Sequence, residues 1–240
     1  MKSWECVAIT VDSESETYQK FLENNNHLKI KTFQGIIGKD LTEEEIVEQG
    51  LATRDLVNSP HLLKSEMGCS ASHRSIWDKC AKGKKGYLVL EDDCYTHPKI
   101  SNFINDNLDS LMNIDICLFT VNTNSILKSI SPCGLTNVTL FNPTYPTQEW
   151  IGSAFSKTKT KEVRMHKLIY AFGCCSYFIS PRGAEKFRQK IFPLSTKTLE
   201  IPLLRGITTL CGLDRSANSI YSEVDAYVCQ PFLAYTPNKR

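Results

Sequence analysis

The chain lacks several features that would assign it to a large class of proteins. Its 28 basic and 26 acidic side chains almost cancel, so the basic excess of a typical nucleic-acid binder is missing. No apolar run approaches the ~20 residues needed to cross a bilayer, and the charged opening segment does not resemble a secretory signal. We therefore expect a cytoplasmic protein with no nucleic-acid partner and no membrane span.

Two common site motifs are missing as well. The ten cysteines include no C-x-x-C pair, which speaks against a zinc ribbon. No G-x-x-x-x-G-K-[ST] phosphate loop occurs either. Because Cys6, Cys229 and others stand in apolar runs, we expect reduced thiols that pack as small hydrophobic side chains.

What is present is the composition of a globular domain. The chain has 240 residues, 41% of them hydrophobic and 22% charged, which is enough to bury a full core. We therefore interpret residues 1–240 as one domain. Its first half ends at about residue 112, and its second half begins at about residue 113.

Apolar runs alternate with helical patterns along the first half. Cys6–Val11 and Tyr87–Leu90 are predicted to be buried strands, and Leu28–Phe33 a half-exposed one. Thr17–Asn26 and Glu66–Trp77 have helical spacing. This order predicts an α/β fold, with a Rossmann-type, mostly parallel central sheet flanked by helices.

The second half is less regular. Ile114–Val121 and Cys174–Ile179 are predicted to be buried strands, and a helix is expected after Ser180. Asn122–Gln148 is interpreted as an irregular connection. Two interpretations of the basic segment Lys157–Lys167 stay open. It is a mobile lid that contacts phosphate groups or an anionic acceptor, or it is a solvated loop or helix face.

Three consecutive acids, Glu91, Asp92 and Asp93, directly follow an apolar strand. Carboxylates in such a place are usually paired or bound to a metal, and oxygen ligands suit Mg²⁺ or Mn²⁺. On an extended backbone Glu91 and Asp93 point to one side and Asp92 to the other. We therefore predict Glu91 and Asp93 as metal ligands; a merely solvated acidic turn is the alternative.

Four blocks of sequence point to one family. A Gly-Cys-small-x-Ser-His-x-x-x-Trp pattern in Glu66–Trp77 precedes the acidic strand end. Ala8–Asp12 and Phe33–Lys39 lie upstream, and Gly173–Ala184 downstream carries a Gly-x-x-x-Tyr-x-x-Ser-x-x-Gly-Ala pattern. Together these blocks resemble glycosyltransferase family 25, the lipopolysaccharide and capsule galactosyltransferase-like enzymes.

The resemblance implies a GT-A-like fold, with a nucleotide-sugar-binding half (about residues 1–112) and an acceptor-side half (about residues 113–240), and a metal-dependent, inverting sugar transfer. The implied donor is a UDP-sugar, with galactose as the best guess, the acceptor is a glycan or glycoconjugate hydroxyl, and the metal is Mn²⁺ or Mg²⁺. Carried over by position, the nucleotide-sugar contacts are Asp12, Ser72, His73 and Asp92, and Thr10, which stands where the family often has an asparagine, is a further candidate contact.

An inverting transfer needs a base that takes the proton of the acceptor hydroxyl. The sequence offers three candidates, Asp214, Asp225 and Glu149, and leaves the choice open. Trp150, beside Glu149, is a candidate platform for a sugar ring.

One departure from the family keeps a second function open. No basic residue follows the first strand within residues 13–17, where the family frequently has an arginine. The alternative to an active enzyme is therefore a catalytically lapsed nucleotide-sugar or glycan-binding module on the same fold. A phosphate-handling hydrolase is less favoured, because nothing in the sequence resembles its nucleophile.

Overall fold

The computed structural model describes residues 2–201 and 206–237. Its strands are β1 (Trp4–Thr10), β2 (Ile30–Gln34), β3 (Gly86–Glu91), β4 (Tyr95–Thr96), β5 (Ile116–Leu118), β6 (Leu127–Ile130), β7 (Thr136–Thr139), β8 (Arg164–Tyr170), β9 (Ser176–Ile179), β10 (Thr198–Ile201), β11 (Gly206–Thr209), β12 (Ala226–Gln230) and β13 (Ala234–Tyr235).

Helices separate many of these strands. They are α1 (Glu16–Asn24), α2 (Glu43–Glu48), α3 (Arg54–Val57), α4 (Lys64–Ala81), α5 (Ile100–Asp106), α6 (Leu108–Asn113), α7 (Gln148–Lys157), α8 (Pro181–Ile191) and α9 (Leu213–Asn218). Short 3₁₀ turns occur at Gly38–Asp40 and Thr160–Glu162. No helix in this part of the chain has the length and apolar character that a bilayer crossing requires.

Within the described residues, nine strands form the central sheet, in the order β2-β1-β3-β9-β5-β12-β8-β6-β7. β1 pairs in parallel with β2 and β3, and β12 pairs in parallel with β5. The neighbours of β9, β8 and β7 are all antiparallel to them. The α/β class with flanking helices is therefore confirmed, but the sheet is mixed.

The departure from a mostly parallel sheet has a local cause. β9 inserts between β3 and β5 and runs against both. β6 and β7 are joined only by residues 131–135, a connection too short for a parallel crossover. The Rossmann-like pattern is thus restricted to the β2-β1-β3 side of the sheet.

The structure corrects two predictions for the second half. The connection Asn122–Gln148 contains the hairpin β6–β7, whose outer strand is partly exposed and rich in Thr and Asn. The basic segment Lys157–Lys167 runs into β8, which pairs with β12 from Arg164 onward and with β6 from Lys167 onward. That part is therefore sheet, not a mobile lid.

The core lies on both faces of the sheet. Alternate side chains of β1 enter different clusters, Val7 on one face and Cys6 on the other, as strand geometry requires. Val228 and Cys229 of β12 divide in the same way, so both halves of the chain contribute to both clusters. The single domain over 1–240 stays a prediction, and its terminal residues lie outside the described ranges.

Within the described residues no cysteine forms a disulfide, and seven of the ten are buried, as expected for thiols that pack as small hydrophobic side chains; their reduced state stays a prediction.

Helix α4 is held against the loop after β2 by a close backbone contact. A Cβ atom added to Gly68 would stand 2.4 Å from the carbonyl oxygen of Ile36 and 2.5 Å from the amide nitrogen of Gly38. Ser72, one turn further on, accepts a hydrogen bond from the backbone N–H of Ile36 (2.7 Å) and donates one to the carbonyl of Gly68 (2.7 Å). This contact fixes the depth and direction of α4, which carries His73 and Trp77 to the sheet.

Candidate active site

A cleft of about 1310 Å³ lies beside the end of β3 and the segment that precedes β9. Four carboxylates line it, those of Glu66, Glu91, Asp93 and Asp214, together with the guanidinium of Arg215. Arg215 forms an ion pair with Glu66. The other three carboxylates give the cleft an excess of negative charge, which favours binding of a divalent cation.

The predicted acid triplet is placed at the mouth of this cleft. β3 ends at Glu91, and the next two residues form a turn that is closed by a hydrogen bond from the Cys94 N–H to the Glu91 carbonyl (3.1 Å). Glu91 and Asp93 both line the cleft, whereas Asp92 does not. The turn thus places Glu91 and Asp93 on one side and Asp92 on the other, as was predicted for an extended backbone.

The two aspartates of the triplet have perturbed ionisation. Loss of hydration in the cleft raises the pKa of Asp93 to about 6, the charge of Glu91 adds to the rise, and the hydroxyl of Thr236 opposes it. Thr236 Oγ1 donates to Asp93 Oδ2 at 2.7 Å. Burial also raises the pKa of Asp92, against a hydrogen bond from Thr10. Carboxylates held beside one another in this way are typical of a site that receives a cation.

The predicted donor-site residue Thr10 ends β1, next to the acid triplet. Its hydroxyl donates to the carbonyl of Asp12 (3.1 Å), and the Asp12 N–H is 3.3 Å from the same oxygen. Asp12 is exposed and accepts a hydrogen bond from the Glu14 N–H (2.9 Å). Thr10, Asp12 and Asp92 therefore form a second group at this end of the sheet, outside the lining of the acidic cleft.

His73 and Ser72 are not at the surface of the cleft. His73 is fully buried; its Nδ1 lies 2.7 Å from the hydroxyl of Tyr177 and its Nε2 lies 3.2 Å from Glu91 Oε1. Ser72 is buried as well, and its hydroxyl is engaged by the backbone of the loop after β2. The structure thus gives Ser72 a packing role, and His73 contacts Glu91 from the buried side, away from the cleft.

The three candidate bases are placed very differently. Asp214, in the first turn of α9, lines the cleft; its Oδ2 accepts from the Gly173 N–H (3.1 Å) and its Oδ1 from the Arg215 N–H (2.7 Å). Glu149, in the first turn of α7, is exposed and does not line this cleft. Its neighbour Trp150 packs edge-on against Tyr235, with ring centroids 5.4 Å apart.

Asp225 is not brought to the cleft. It directly precedes β12, and its carbonyl accepts from the backbone N–H of Asp115, just before the parallel strand β5. Both residues therefore lie at the amino ends of these strands, opposite the end at which the acid triplet stands. There the Asp225 carboxylate pairs with Arg182 (2.6 Å), which is a structural contact.

A possible metal-ligand set lies partly behind the cleft surface. One ligand atom each from Cys69, His73 and Glu91 lie within 4.8 Å of one another. Such a thiol, imidazole and carboxylate set suits zinc, whereas Glu91 and Asp93 offer the oxygen ligands that suit Mg²⁺ or Mn²⁺. Both sets include Glu91, so its carboxylate would serve one set or the other.

A second, smaller cleft of about 800 Å³ lies between α7 and the turn after β4. Lys99, Lys159 and Lys161 line it, and none of its described lining residues is acidic. Lys159 is paired with Glu162 at 3.3 Å. The first part of the basic segment thus forms the rim of a positively charged cleft.

Sequence reasoning gave no site role to several residues that contact the site. Tyr177 and Trp77 contact His73 or its partner from the core, and Cys69 and Thr236 contact the carboxylates of the cleft. Tyr177 was visible only as a letter of the downstream motif. The Gly-x-x-x-Tyr spacing could have marked it, because it places the tyrosine one residue into β9, antiparallel to β3.

Comparison with known proteins agrees with this geometry. An α/β protein with an acidic cleft at its strand ends is a common design for enzymes that handle nucleotide-linked substrates. The chain matches the family described as Glycosyltransferase family 25 (LPS biosynthesis protein) over residues 12–199. The protein therefore belongs to glycosyltransferase family 25, and by family it is a glycosyltransferase of LPS biosynthesis.

Two other comparisons add little. No curated protein matches the chain. Among solved structures, it is similar to "A197 from STIV", with a TM-score of 0.41 and 10% sequence identity, over 99% of this chain and 92% of that chain. A likeness at this level carries no argument about fold or function.

Proposed function

We propose that the protein transfers a sugar from a UDP-sugar to a hydroxyl of a glycan or glycoconjugate, with inversion and with the help of Mn²⁺ or Mg²⁺. Family membership supports the transfer itself. The observation that carries the metal-dependent mechanism is the convergence of Glu91, Asp93 and Asp214 on one cleft. Galactose stays the best guess for the donor sugar, and a cytoplasmic location stays a prediction.

Glu91 and Asp93 are the residues that would hold the metal. Both offer carboxylate oxygens to the same space, and partial loss of hydration beside Glu91 raises the pKa of Asp93, a penalty that a bound cation would relieve. When bound, a divalent ion supplies neutralisation of the charge that develops on the departing diphosphate. Thr236 fixes the rotamer of Asp93 through its hydrogen bond.

Asp214 is our choice for the base. It stands in the same cleft as the two proposed metal ligands, and two backbone N–H groups hold its carboxylate in place. A positioned carboxylate can take the proton of an acceptor hydroxyl as that oxygen attacks the sugar. Glu149 and Asp225 lack this placement.

The remaining donor contacts are proposed for the group around Thr10, Asp12 and Asp92. Because this group adjoins the acid triplet at the end of β1, a nucleotide bound there would have its diphosphate near Glu91 and Asp93. The lapsed binding module remains the second candidate, because residues 13–17 supply no cation for such a nucleotide.

Calorimetric titration with UDP, with and without Mn²⁺, tests this proposal. We expect binding that requires the metal in the wild type and is lost in Glu91→Gln and Asp93→Asn. Asp106→Asn, which removes an exposed acid at the end of α5, is the matched control and should bind as the wild type does.

Hydrolysis of a panel of nucleotide sugars then separates the two candidate functions. Turnover of one donor supports the enzyme and identifies the sugar. Metal-dependent UDP binding without turnover of any donor or donor–acceptor pair supports the lapsed module. UDP binding that ignores both Mn²⁺ and the two carboxylate variants would refute the proposed metal site.

A further inference from the structure

A continuous line of hydrogen bonds runs from the core to the cleft. The indole nitrogen of Trp77 lies 2.9 Å from the hydroxyl of Tyr177, that hydroxyl lies 2.7 Å from His73 Nδ1, and His73 Nε2 lies 3.2 Å from Glu91 Oε1. Trp77, Tyr177 and His73 are each at most 1% exposed. Water therefore does not compete for the three inner groups, and each must find its partner within the line.

The chemistry of the first member sets the direction of the whole line. An indole N–H can only donate, so the Tyr177 oxygen accepts from Trp77. A phenol carries one proton, and the Tyr177 hydroxyl donates it to the other neighbour, His73 Nδ1. Nδ1 is then an acceptor, so the imidazole proton is on Nε2, where it is donated to Glu91 Oε1.

The other protonation states of His73 leave a buried group unsatisfied. With the proton on Nδ1, the Nε2 lone pair would face the Glu91 carboxylate at 3.2 Å, and the phenol proton of Tyr177 would meet two donors. A doubly protonated ring would leave the same phenol proton without an acceptor among these partners. An unsatisfied buried polar group is costly, so the form with its proton on Nε2 and an acceptor lone pair on Nδ1 is favoured.

We propose that Tyr177 is a positioning residue that fixes His73 in its Nε2–H form and, through it, orients the Glu91 carboxylate for the metal. The proposal rests on the proposed function for the identity of what Glu91 binds. The position of the proton on the His73 ring, by contrast, does not depend on a bound ligand. Trp77 acts one step further back, because it occupies an acceptor site on the Tyr177 oxygen.

This assignment has a consequence for the choice between the two ligand sets. A protonated Nε2 has no lone pair for a metal, so His73 cannot complete a set with Cys69 and Glu91 in this arrangement. Glu91 Oε1 is engaged by His73, and the carboxylate can offer Oε2 to a cation. The residues that would hold a cation are then Glu91 and Asp93, whose oxygen ligands would favour Mn²⁺ or Mg²⁺ over zinc.

The first test reads the tautomer directly in the metal-free protein. Two-bond ¹H–¹⁵N correlation spectra separate the two neutral forms of a histidine ring and its cation. For the wild type we expect His73 as the Nε2–H form, and this measurement needs no variant that has to fold. Observation of the Nδ1–H form or of the cation at neutral pH would overturn the proposal.

The second test removes the hydroxyl of Tyr177 and compares a matched tyrosine. Tyr177→Phe should shift the Nδ1 resonance of His73 towards that of a ring nitrogen without a hydrogen bond, because the hydroxyl that donates to Nδ1 is gone. Tyr221→Phe is the control: Tyr221 is equally buried, and its hydroxyl has no hydrogen-bond partner within the described chain. The control should leave the His73 spectrum unchanged. An unchanged spectrum in Tyr177→Phe as well would refute the proposal.

Titration with Mn²⁺ alone connects the tautomer to the cleft. Loss of a residue that orients a metal ligand typically weakens the metal affinity ~10–100-fold, and we expect this for Tyr177→Phe but not for Tyr221→Phe. Glu91→Gln should keep the Nε2–H form, because its amide oxygen still accepts, and should lose Mn²⁺.

The tautomer spectra and the Mn²⁺ titrations together distinguish the role of Tyr177 from the metal-dependent function on which it rests. If Glu91→Gln binds Mn²⁺ as the wild type does, the metal assignment is wrong, while the tautomer experiment still decides the role of Tyr177. If Glu91→Gln loses Mn²⁺ but Tyr177→Phe binds it with wild-type affinity, the metal site stands and the positioning role is refuted.

Discussion

The carboxyl group of Asp93 illustrates how a candidate metal ligand can lower the stability of the protein that contains it. Its side chain lies beside Glu91 in a cleft that removes part of its hydration, and its pKa rises to about 6 as a result. Above that pH the ionised group weakens the fold, because the unfolded chain would carry the same charge in water at an ordinary pKa near 3.8. A bound cation would remove this penalty.

Asp93→Asn is therefore expected to stabilise the metal-free protein at pH 7–8 while it abolishes transfer. Since solvent still reaches the side chain, the gain in the free energy of unfolding should be only about 1 kcal/mol. The folded state binds the proton more tightly than the unfolded state, so the gain should shrink as the pH falls from about 6 towards 4. Urea unfolding of both proteins across this range measures it. A variant that is less stable than the wild type at pH 8 would contradict this account.

In the same pH range the affinity for Mn²⁺ should fall on acidification. Protonation of Asp93 removes one ligand, so the affinity should decline as the pH drops through about 6.

Among the elements, α4 carries the largest share of the site. It supplies Glu66 and Cys69 to the cleft and His73 to Glu91, and Trp77 one turn later anchors its other end in the core. Its position depends on the absence of a side chain at Gly68, where the helix meets the backbone of the loop after β2. The family-like glycine is therefore structural, and it serves the site by setting where α4 lies.

Gly68→Ala is expected to destabilise the protein by about 1–3 kcal/mol or more, since its Cβ would stand 2.4 Å from a main-chain oxygen that has little room to move. Gly152→Ala is the matched control, in another helix, where a Cβ would meet nothing within 4 Å. There the better helix propensity of alanine should add ~1 kcal/mol. Thermal and urea unfolding decide both; equal effects of the two substitutions would show that the close contact does not matter.

At the scale of the whole molecule, the candidate site lies at one end of the sheet and a buried group of ion pairs lies at the other. The acid triplet and Asp214 stand at one end, whereas Asp115 is fully buried at the other end and pairs with Arg182 (3.0 Å) and Lys186 (2.8 Å). A Cβ on Gly183 would stand 1.9 Å from the Asp115 carbonyl, so the downstream Ser-x-x-Gly-Ala motif seats α8 at this far end. The Ser-x-x-Gly-Ala part of the motif therefore supports the fold, whereas its first residue, Gly173, and its tyrosine, Tyr177, reach towards the site.

This separation predicts opposite results for the two aspartates of the second half. Asp214→Asn should lower the rate of transfer ~10²–10⁴-fold, the range that a general base contributes. Asp225→Asn should leave the rate unchanged and cost at most about 1 kcal/mol of stability, because its ion pair with Arg182 is half exposed. Steady-state kinetics with the donor found in the hydrolysis screen provide the measurement. A rate loss in Asp225→Asn alone would reverse our choice of base.

The sequence by itself determined the features that depend on neighbours along the chain. Continuous apolar runs predicted β1 and β3, Ser180 marked a helix start that the structure confirms with a side-chain cap, and three acids after an apolar strand predicted the acidic end of β3. These follow from periodicity, capping and the cost of burying charge, which act over a few residues. The four family-like blocks predicted the family, and the family comparison confirmed it.

Only the tertiary structure decided which distant residues meet. The antiparallel insertion of β9 between β3 and β5 brings Tyr177 to His73, 104 positions away, and the path of the chain after β11 brings Asp214 to the cleft and Asp225 to the opposite end. No local pattern distinguishes these two aspartates, because each follows or precedes apolar residues in a similar way. Their difference is set by strand order and direction, which arise from packing the whole sheet.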